Sequence, residues 1–98
     1  MRFHFRNKKL EGLYTAEKDA HKYGRAAVEA FFEVMAIIRA AQDERDLYTI
    51  KGLRFEKLKG DRQGQHSIRL NRQWRLIVVI ESDEQGNFIV VVDLVDYH

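Results

Sequence analysis

The clearest pattern of hydrophobic and polar positions lies between Arg25 and Gln42. Apolar side chains recur there at i, i+3, i+4 and i+7, and further small and branched apolar residues widen the stripe. The residues of the stripe are Val28, Phe31, Phe32, Met35 and Ile38. This spacing predicts an amphipathic helix whose aromatic and methionine side chains face a core.

Two shorter elements precede this helix. Residues 2–6, RFHFR, alternate phenylalanine with charged or polar residues, and this alternation predicts a short first strand. Asn7 is a suitable N-cap for a helix that carries Leu10 and Leu13 on one face. We expect that helix to end near Asp19.

The second half of the chain has the period of strands. We expect residues 42–52 to form a polar exit from the long helix, before strand-like runs around Phe55 and at residues 66–70, 73–81 and 88–97. Both faces of the last two runs are largely apolar, which is typical of strands inside a sheet. The connections between these runs are short and therefore require antiparallel hairpins, because parallel neighbours need a long crossover.

These elements predict one α+β domain over residues 1–98, with a short N-terminal strand and two helices followed by an antiparallel sheet. A chain of 98 residues with 45% hydrophobic and 33% charged residues is typical of a single soluble globular domain. No apolar run approaches the ~20 residues that cross a bilayer, and the N-terminus lacks a signal-peptide pattern. We therefore expect a protein without membrane contact.

Cysteine and histidine usage bears on compartment and metal content. The chain has no Cys, which excludes disulfides and fits a reducing cytoplasm. Its four His residues are scattered and show no zinc-ligand spacing. We expect neither a metal nor a cofactor.

Charge is distributed unevenly along the sequence. Residues 51–75 contain eight basic and two acidic residues, a net charge of +6, whereas residues 76–98 contain five acidic residues and no Lys or Arg. A basic block of this density is expected for a protein that contacts a phosphate backbone or an acidic partner. A solvated basic face is the simpler interpretation of the same charges.

Motifs for two common chemistries are absent. The loop KGDRQG has no following Ser or Thr and no following helix, so it is not a P-loop. No Gly-x-Ser-x-Gly elbow is present, and the isolated hydroxyl residues have no histidine in a suitable context. Nucleoside triphosphate hydrolysis and serine nucleophilic catalysis are therefore not indicated.

One group of acidic, basic and proton-transferring side chains remains. In a meander, the basic loop, the hairpin after it and the end of the last strand come close enough to share a concave surface. The members are Glu56, Lys59, Arg62, Arg69, Arg75, Asp96, Tyr97 and His98. Histidine suits either proton transfer of RNA self-cleavage, and Arg or Lys stabilises charge on the phosphate. A DYH ending alone is also typical of a frayed terminus.

The C-terminal half resembles a known family. The stretch LRFEKLKGDRQGQHSIRLNRQWRLIVVI, followed by DLVDYH, is similar to the HigB group of the RelE/ParE superfamily, the toxins of bacterial type II toxin–antitoxin systems. Residues 1–50 match this group only in architecture.

The resemblance implies an activity and partners. HigB-type toxins are small ribosome-dependent endoribonucleases that cut messenger RNA, use the RNA 2′-hydroxyl as nucleophile and need no metal. The implied partners are a HigA-type helix-turn-helix antitoxin, the ribosome and messenger RNA, with operator DNA contacted only through the antitoxin. A cytoplasmic location and two N-terminal helices beside a short antiparallel sheet are also implied.

The resemblance also implies site residues. Arg75 would stabilise the phosphate, and Asp96, Tyr97 and His98 would form the terminal catalytic motif. Some relatives carry histidine at the position of Glu56, so the family's two-histidine catalysis does not transfer to this chain. His98 would work with Glu56 or Tyr97, or this branch would cleave less efficiently. The RNA- and ribosome-binding residues would be Lys57, Lys59, Arg62, Arg69 and Arg72.

Several alternatives stay open. Trp74 is either a packing residue or a base-stacking platform, and His66 is either a polar strand residue or an RNA contact. Asp96 would orient His98 or Arg75, or would touch substrate. A ParE-like DNA gyrase inhibitor without nuclease activity and a non-catalytic basic binding module are the rival functions.

Overall fold

Three helices pack on one face of a five-stranded sheet. The computed structural model describes residues 1–96, and the sheet order is β1-β5-β4-β3-β2. The elements are β1 (Phe3–Phe5), α1 (Lys8–Ala16), α2 (Arg25–Ala40), α3 (Glu44–Thr49), β2 (Glu56–Lys57), β3 (His66–Arg69), β4 (Trp74–Asp83) and β5 (Gly86–Asp96). This is the α+β architecture that the sequence predicts.

The two predicted helices are confirmed, and both end earlier than expected. Asn7 caps α1, since its side-chain oxygen accepts hydrogen bonds from the backbone N–H of Lys9 at 2.9 Å and of Leu10 at 3.3 Å. Glu17 adopts a left-handed conformation, with φ of 51°, and ends that helix. In α2 the buried stripe consists of Ala27, Phe31, Val34, Met35 and Ile38.

The polar exit expected after α2 contains a third helix. Asp43 caps α3 by accepting from the Arg45 N–H at 2.9 Å, and Leu47 is fully buried in the core. A helix of this length has too few turns to show an apolar period, so one leucine among charged residues gave no signal. The sequence predicted a polar exit and two helices, and it did not predict α3.

The sheet is mixed. Strands β2 to β5 form the predicted antiparallel meander, whereas β1 pairs with β5 in parallel, with Phe3 opposite Ile89 and Phe5 opposite Val91. The crossover that a parallel pair requires is supplied by the helical segment between β1 and the meander. Because β1 pairs with one side of β5 and β4 with the other, β5, the longest strand, lies inside the sheet.

A β-bulge in β5 changes which residues of that strand project to each face of the sheet. Ile77 pairs with Asp93 and Val78 with Val91, so Val92 has no paired residue in the β4–β5 register. Side chains alternate with period two, and the extra residue therefore turns Asp93 away from the face that Val91 occupies.

The two faces have different roles. The helix face carries the core, including Ile68, Leu76, Val78 and Val91, which pack against the helices. We call the opposite side the open face. No helix within residues 1–96 combines the length and the apolar character that crossing a membrane requires.

Candidate functional site

The register of strands β2, β3 and β4 places two predicted site residues, Glu56 and Arg75, on the open face. Glu56 of β2 pairs with Ser67 of β3, which pairs with Ile77 of β4. Directly opposed residues project to the same side of a sheet, so these side chains form one row. Arg75 lies two residues from Ile77 along β4 and therefore projects to the same face.

A cavity of about 180 Å³ lies over these residues and is called the open-face cavity. It is lined by Glu56, Arg62, Ser67, Arg75, Ile77 and Val95, with Leu58 at its margin. Three predicted site residues, one carboxylate and two guanidinium groups, are thus brought together. Ser67 and the apolar residues Leu58, Ile77 and Val95 form the rest of the lining.

Arg62 reaches the cavity from the loop between β2 and β3. A 3₁₀ turn at Gly60–Arg62 directs the chain back towards the sheet, and Gly60 has a φ of 67°, which favours glycine. Arg62 Nη2 donates to Asp93 Oδ2 at 2.8 Å, and Nη1 donates to Gln65 Oε1 at 3.0 Å. The loop arginine is therefore tied to β5 across the open face.

Asp93 is a site residue that sequence reasoning missed. It was treated as part of the last strand, and its only sequence signal is a single acid inside the apolar run FIVVVDLV. Its side chain is 38% exposed and pairs with Arg62, whose side chain is 39% exposed. The bulge at Val92 places Asp93 on this face, and the sequence does not reveal that bulge.

A second and larger cavity lies beside the same loop. It has a volume of about 540 Å³, and we call it the loop cavity. Its lining includes Lys57, Lys59, Gly60, Gln63, Gly64 and His66. Leu58 borders both cavities, which lie on opposite sides of β2 because Glu56 and Lys57 are successive strand residues.

The remaining predicted basic residues lie apart from the open-face cavity. Arg69 pairs with Arg75 in the β3–β4 register but borders a separate cavity beside Glu33 and Ile37 of α2. Arg72 is exposed in the turn between β3 and β4. The open-face cavity thus groups only part of the predicted basic set.

Asp96 is at the end of β5, in register with Trp74, so both project from the helix face. Its Oδ2 accepts from Gln73 Nε2 at 3.1 Å. The Trp74 ring packs edge-to-face on Tyr23, with centroids 5.3 Å apart, which supports the packing interpretation of that residue. Tyr97 and His98 lie outside the described residues, so their predicted roles remain predictions.

His66 lies on β3 as expected but is buried, with 7% of its surface exposed. Its ring stacks on Phe55 with centroids 4.8 Å apart and an interplanar angle of 11°. Nε2 lies 3.2 Å from the Tyr48 hydroxyl. Burial holds the pKa of His66 below its ordinary value of 6.5, and the Lys57 ammonium lowers the pKa further.

Comparison with known proteins decides the family. A sequence model described as the RelE-like toxin of the type II toxin–antitoxin system HigB matches residues 3–98. Toxin HigB-1 of Vibrio cholerae serotype O1 is 42% identical over 78 residues, which cover 79% of this chain and 81% of that protein. The chain belongs to the HigB-like toxin family.

Solved structures share the fold of this HigB-like toxin. The YoeB/ParE toxin from Agrobacterium tumefaciens superposes with a TM-score of 0.59 at 16% identity and covers 100% of both chains. YoeB in the YoeB–YefM complex from Staphylococcus aureus gives a TM-score of 0.59 at 20% identity, covering 100% of this chain and 97% of that chain. YafQ from E. coli strain BL21(DE3) gives a TM-score of 0.55 at 11% identity, covering 98% of this chain and 93% of that chain.

The chemistry available to this HigB-like toxin follows from its donor groups. Within residues 1–96, no group of three or more His, Asp or Glu side chains is arranged to hold a metal ion. The open-face cavity offers one carboxylate able to accept a proton and two arginines able to bind phosphate oxygens. These groups suit a reaction at a phosphodiester.

Proposed function

We propose that this HigB-like toxin is a ribosome-dependent endoribonuclease that cuts messenger RNA. One observation carries the proposal: Glu56, Arg62 and Arg75 line a single cavity on the open face. The RNA 2′-oxygen attacks the adjacent phosphorus, and the bond from phosphorus to the 5′-oxygen breaks. The products are a 2′,3′-cyclic phosphate and a 5′-hydroxyl, so neither a metal nor an external nucleophile is needed.

The reaction requires one proton to leave the 2′-hydroxyl and one to reach the departing 5′-oxygen. His98 transfers one of these protons, and Glu56 or Tyr97 is its partner. Tyr97 also positions the nucleotide by stacking or hydrogen bonding. A positioned acid or base typically contributes about 10²–10⁴-fold to the rate.

The arginines act on the phosphate. Arg75 is half-buried in β4, so its guanidinium is held by a rigid element beside the reacting group. Arginine offers a planar fork of N–H donors that matches phosphate oxygens and stabilises the phosphorane. Asp96 either orients His98 or contacts substrate.

The basic block binds the RNA and the ribosome. Lys57, Lys59 and Arg72 are exposed, and Arg69 is half-buried. Together with Arg62 they supply the positive charge that a phosphate backbone requires. Their role is association, whereas the open-face cavity carries the chemistry.

The proposed antitoxin is a HigA-type helix-turn-helix protein, and the toxin contacts operator DNA only through it. The matching family is a toxin family of a type II toxin–antitoxin system, and YoeB of Staphylococcus aureus is solved in complex with YefM. The toxin itself is a single domain spanning residues 1–98 and acts in the cytoplasm. Failure of the adjacent gene product to co-purify with the toxin would count against this partner.

The test uses ribosomes programmed with a defined messenger RNA. We expect the purified chain to cut the ribosome-bound message, and deletion of His98 to reduce the rate by about 10²–10⁴-fold. Glu56→Gln is the second variant, because it removes the carboxylate from the cavity. Lys9→Gln is the control. It removes one exposed charge from α1, a helix that contacts β1 and β5, away from the β2 edge of the sheet.

Each outcome of this experiment is decisive. Cleavage at the wild-type rate without His98 would move the proton transfer to Glu56 or Tyr97. No cleavage by the wild-type chain, together with inhibition of DNA gyrase in a supercoiling assay, would replace the proposal by the ParE-like alternative.

A further inference from the structure

The loop cavity has the character of an anion site. Lys57 and Lys59 are the charged residues that line it, and no carboxylate belongs to its lining among residues 1–96. Two acids adjoin the lining residues in sequence: Glu56 projects to the other side of β2 and lines the open-face cavity, and exposed Asp61 is not part of the loop cavity's lining. The lining of the loop cavity therefore carries positive charge, and the Glu44 carboxylate acts on His66 from outside that lining.

His66 gives an independent indication of a ligand. The residue lines the loop cavity although it is more than nine-tenths buried. No hydrogen-bond partner for its Nδ1 is found within residues 1–96. Buried polar atoms normally have a partner, and an exception in a native fold requires an explanation.

The tautomer of His66 determines what that nitrogen needs. When the Tyr48 hydroxyl donates to Nε2 at 3.2 Å, the ring proton is on Nδ1, and Nδ1 is a donor without an acceptor. A phosphate oxygen would supply that acceptor. The ring is held in place by its stack on Phe55, so the donor would be oriented before binding.

The position of the loop cavity relates it to the proposed active site. β2 is an edge strand, and Leu58 borders both cavities. An RNA strand whose reacting phosphate lies in the open-face cavity can pass around this edge of the sheet. A neighbouring phosphate would then lie on the other side of β2, between Lys57, Lys59 and His66.

We propose that the loop cavity is a second phosphate site for RNA, formed by Lys57, Lys59 and His66. The inference rests on the proposed function only in taking RNA as the partner. The phosphate comes either from the messenger strand or from ribosomal RNA, and both supply the same chemistry. An anion bound there also opposes the burial and the Lys57 charge that lower the pKa of His66.

Binding without cleavage tests this site. The probe is a fluorescent single-stranded RNA hexanucleotide with 2′-O-methyl groups, which lacks the internal nucleophile, and anisotropy gives its Kd across a salt series. Losing one phosphate contact on a single strand reduces the slope of log K against log salt by about 0.7. We expect Lys57→Gln to show that reduction and Lys9→Gln to show none.

The role of His66 is tested by His66→Phe, which retains an aromatic ring for the stack and removes both nitrogens. We expect weaker binding of the hexanucleotide. Because this buried change could disturb folding, ¹⁵N NMR of the wild-type ring is the second measurement. RNA should shift the Nδ1 resonance of His66 and leave that of exposed His21 in place, and an unmoved His66 would overturn its assignment.

The source of the phosphate is identified by a parallel assay with ribosomes that carry no message. Loss of affinity by Lys57→Gln for the hexanucleotide indicates the messenger strand, and loss only for the ribosome indicates ribosomal RNA. Equal behaviour of Lys57→Gln and Lys9→Gln in both assays would overturn the second site. A wild-type chain that binds through Lys57 but never cleaves would refute the nuclease and retain the site.

Discussion

The ion pair between Arg62 and Asp93 joins the loop after β2 to strand β5. Its two side chains are each more than a third exposed, so solvent screens their attraction. The contribution to stability is therefore small, and the pair matters more for where it holds the guanidinium. Release of Arg62 would leave one wall of the open-face cavity undefined.

Asp93→Asn tests this positioning. We expect the free energy of unfolding to fall by no more than about 1 kcal/mol, measured by urea denaturation, because partly exposed pairs contribute little. Cleavage of ribosome-bound message should fall by a larger factor, through a higher KM for programmed ribosomes. Arg25→Ala, which breaks the exposed Arg25–Glu29 pair, should change neither quantity beyond error. An unchanged KM in Asp93→Asn would contradict the positioning role.

His66 predicts a dependence of stability on pH. Its pKa in the folded chain is below 6.5, so the unfolded chain binds more protons, and stability falls as pH drops through 6.5 towards the folded pKa. Lys57 adds to this effect, Glu44 opposes it, and the Tyr48 hydroxyl contacts the ring. Urea unfolding of wild type and His66→Phe at several pH values should show a weaker acid loss in the variant. His21→Gln should retain the wild-type slope.

At the scale of single residues, the sequence indicates side chains whose own charge or acid–base chemistry suggests a role. It does not indicate side chains whose role depends on a contact with a residue far away in the sequence. Three members of the predicted group, Glu56, Arg62 and Arg75, line one cavity, because the strands and the loop that carry them are neighbours in the meander. Asp93 was missed because its importance depends on Arg62, far away in the sequence. The burial of His66 depends likewise on Phe55 and Tyr48.

Among the elements, α3 shows what local pattern cannot predict. The long helix α2 and its stripe followed from period alone, whereas α3 is defined by a cap at Asp43 and one buried leucine. The bulge in β5 is invisible for the same reason, since it exists only relative to β4. Both features depend on contacts across the fold.

Leu47→Ala measures the contribution of α3. Leu47 is fully buried and packs in the same core as α2 and the sheet. Truncating a buried leucine to alanine costs about 2–5 kcal/mol, and we expect a loss in that range by urea denaturation. Arg45→Ala on the exposed side of the same helix is the control and should cost far less. A loss below about 1 kcal/mol for Leu47→Ala would show that α3 contributes little to the core.

On the scale of the whole molecule, ion pairs neutralise much of the acidic C-terminal segment. Arg2 pairs with Asp83 at 2.7 Å, and Arg6 pairs with Glu81 at 2.8 Å, so the two arginines that flank β1 balance acids of β4. The exposed lysines Lys57 and Lys59 lie at the opposite edge of the sheet, in β2 and the loop after it. The sequence showed this asymmetry of charge, but only the fold shows which acids are balanced.

Salt dependence follows from this distribution. Association with programmed ribosomes should weaken steeply as salt rises, because phosphate contacts release counterions. Lys59→Glu should weaken association at low salt and flatten the slope, while the free energy of unfolding changes by about 0.5 kcal/mol or less. Sedimentation with ribosomes across a salt series measures both effects. An association insensitive to salt would contradict phosphate contact.

The pairing of β1 with β5 also determines when the sheet can form during synthesis of the chain. Phe3 pairs with Ile89, so β1 leaves the ribosome long before its partner exists. Closing such a long loop is slow, since its entropy is lost before the contacts form. The open-face cavity needs Val95, and its Arg62 wall needs Asp93, both of which are also synthesised late. Until those residues have been made, a nascent chain therefore has no complete open-face cavity.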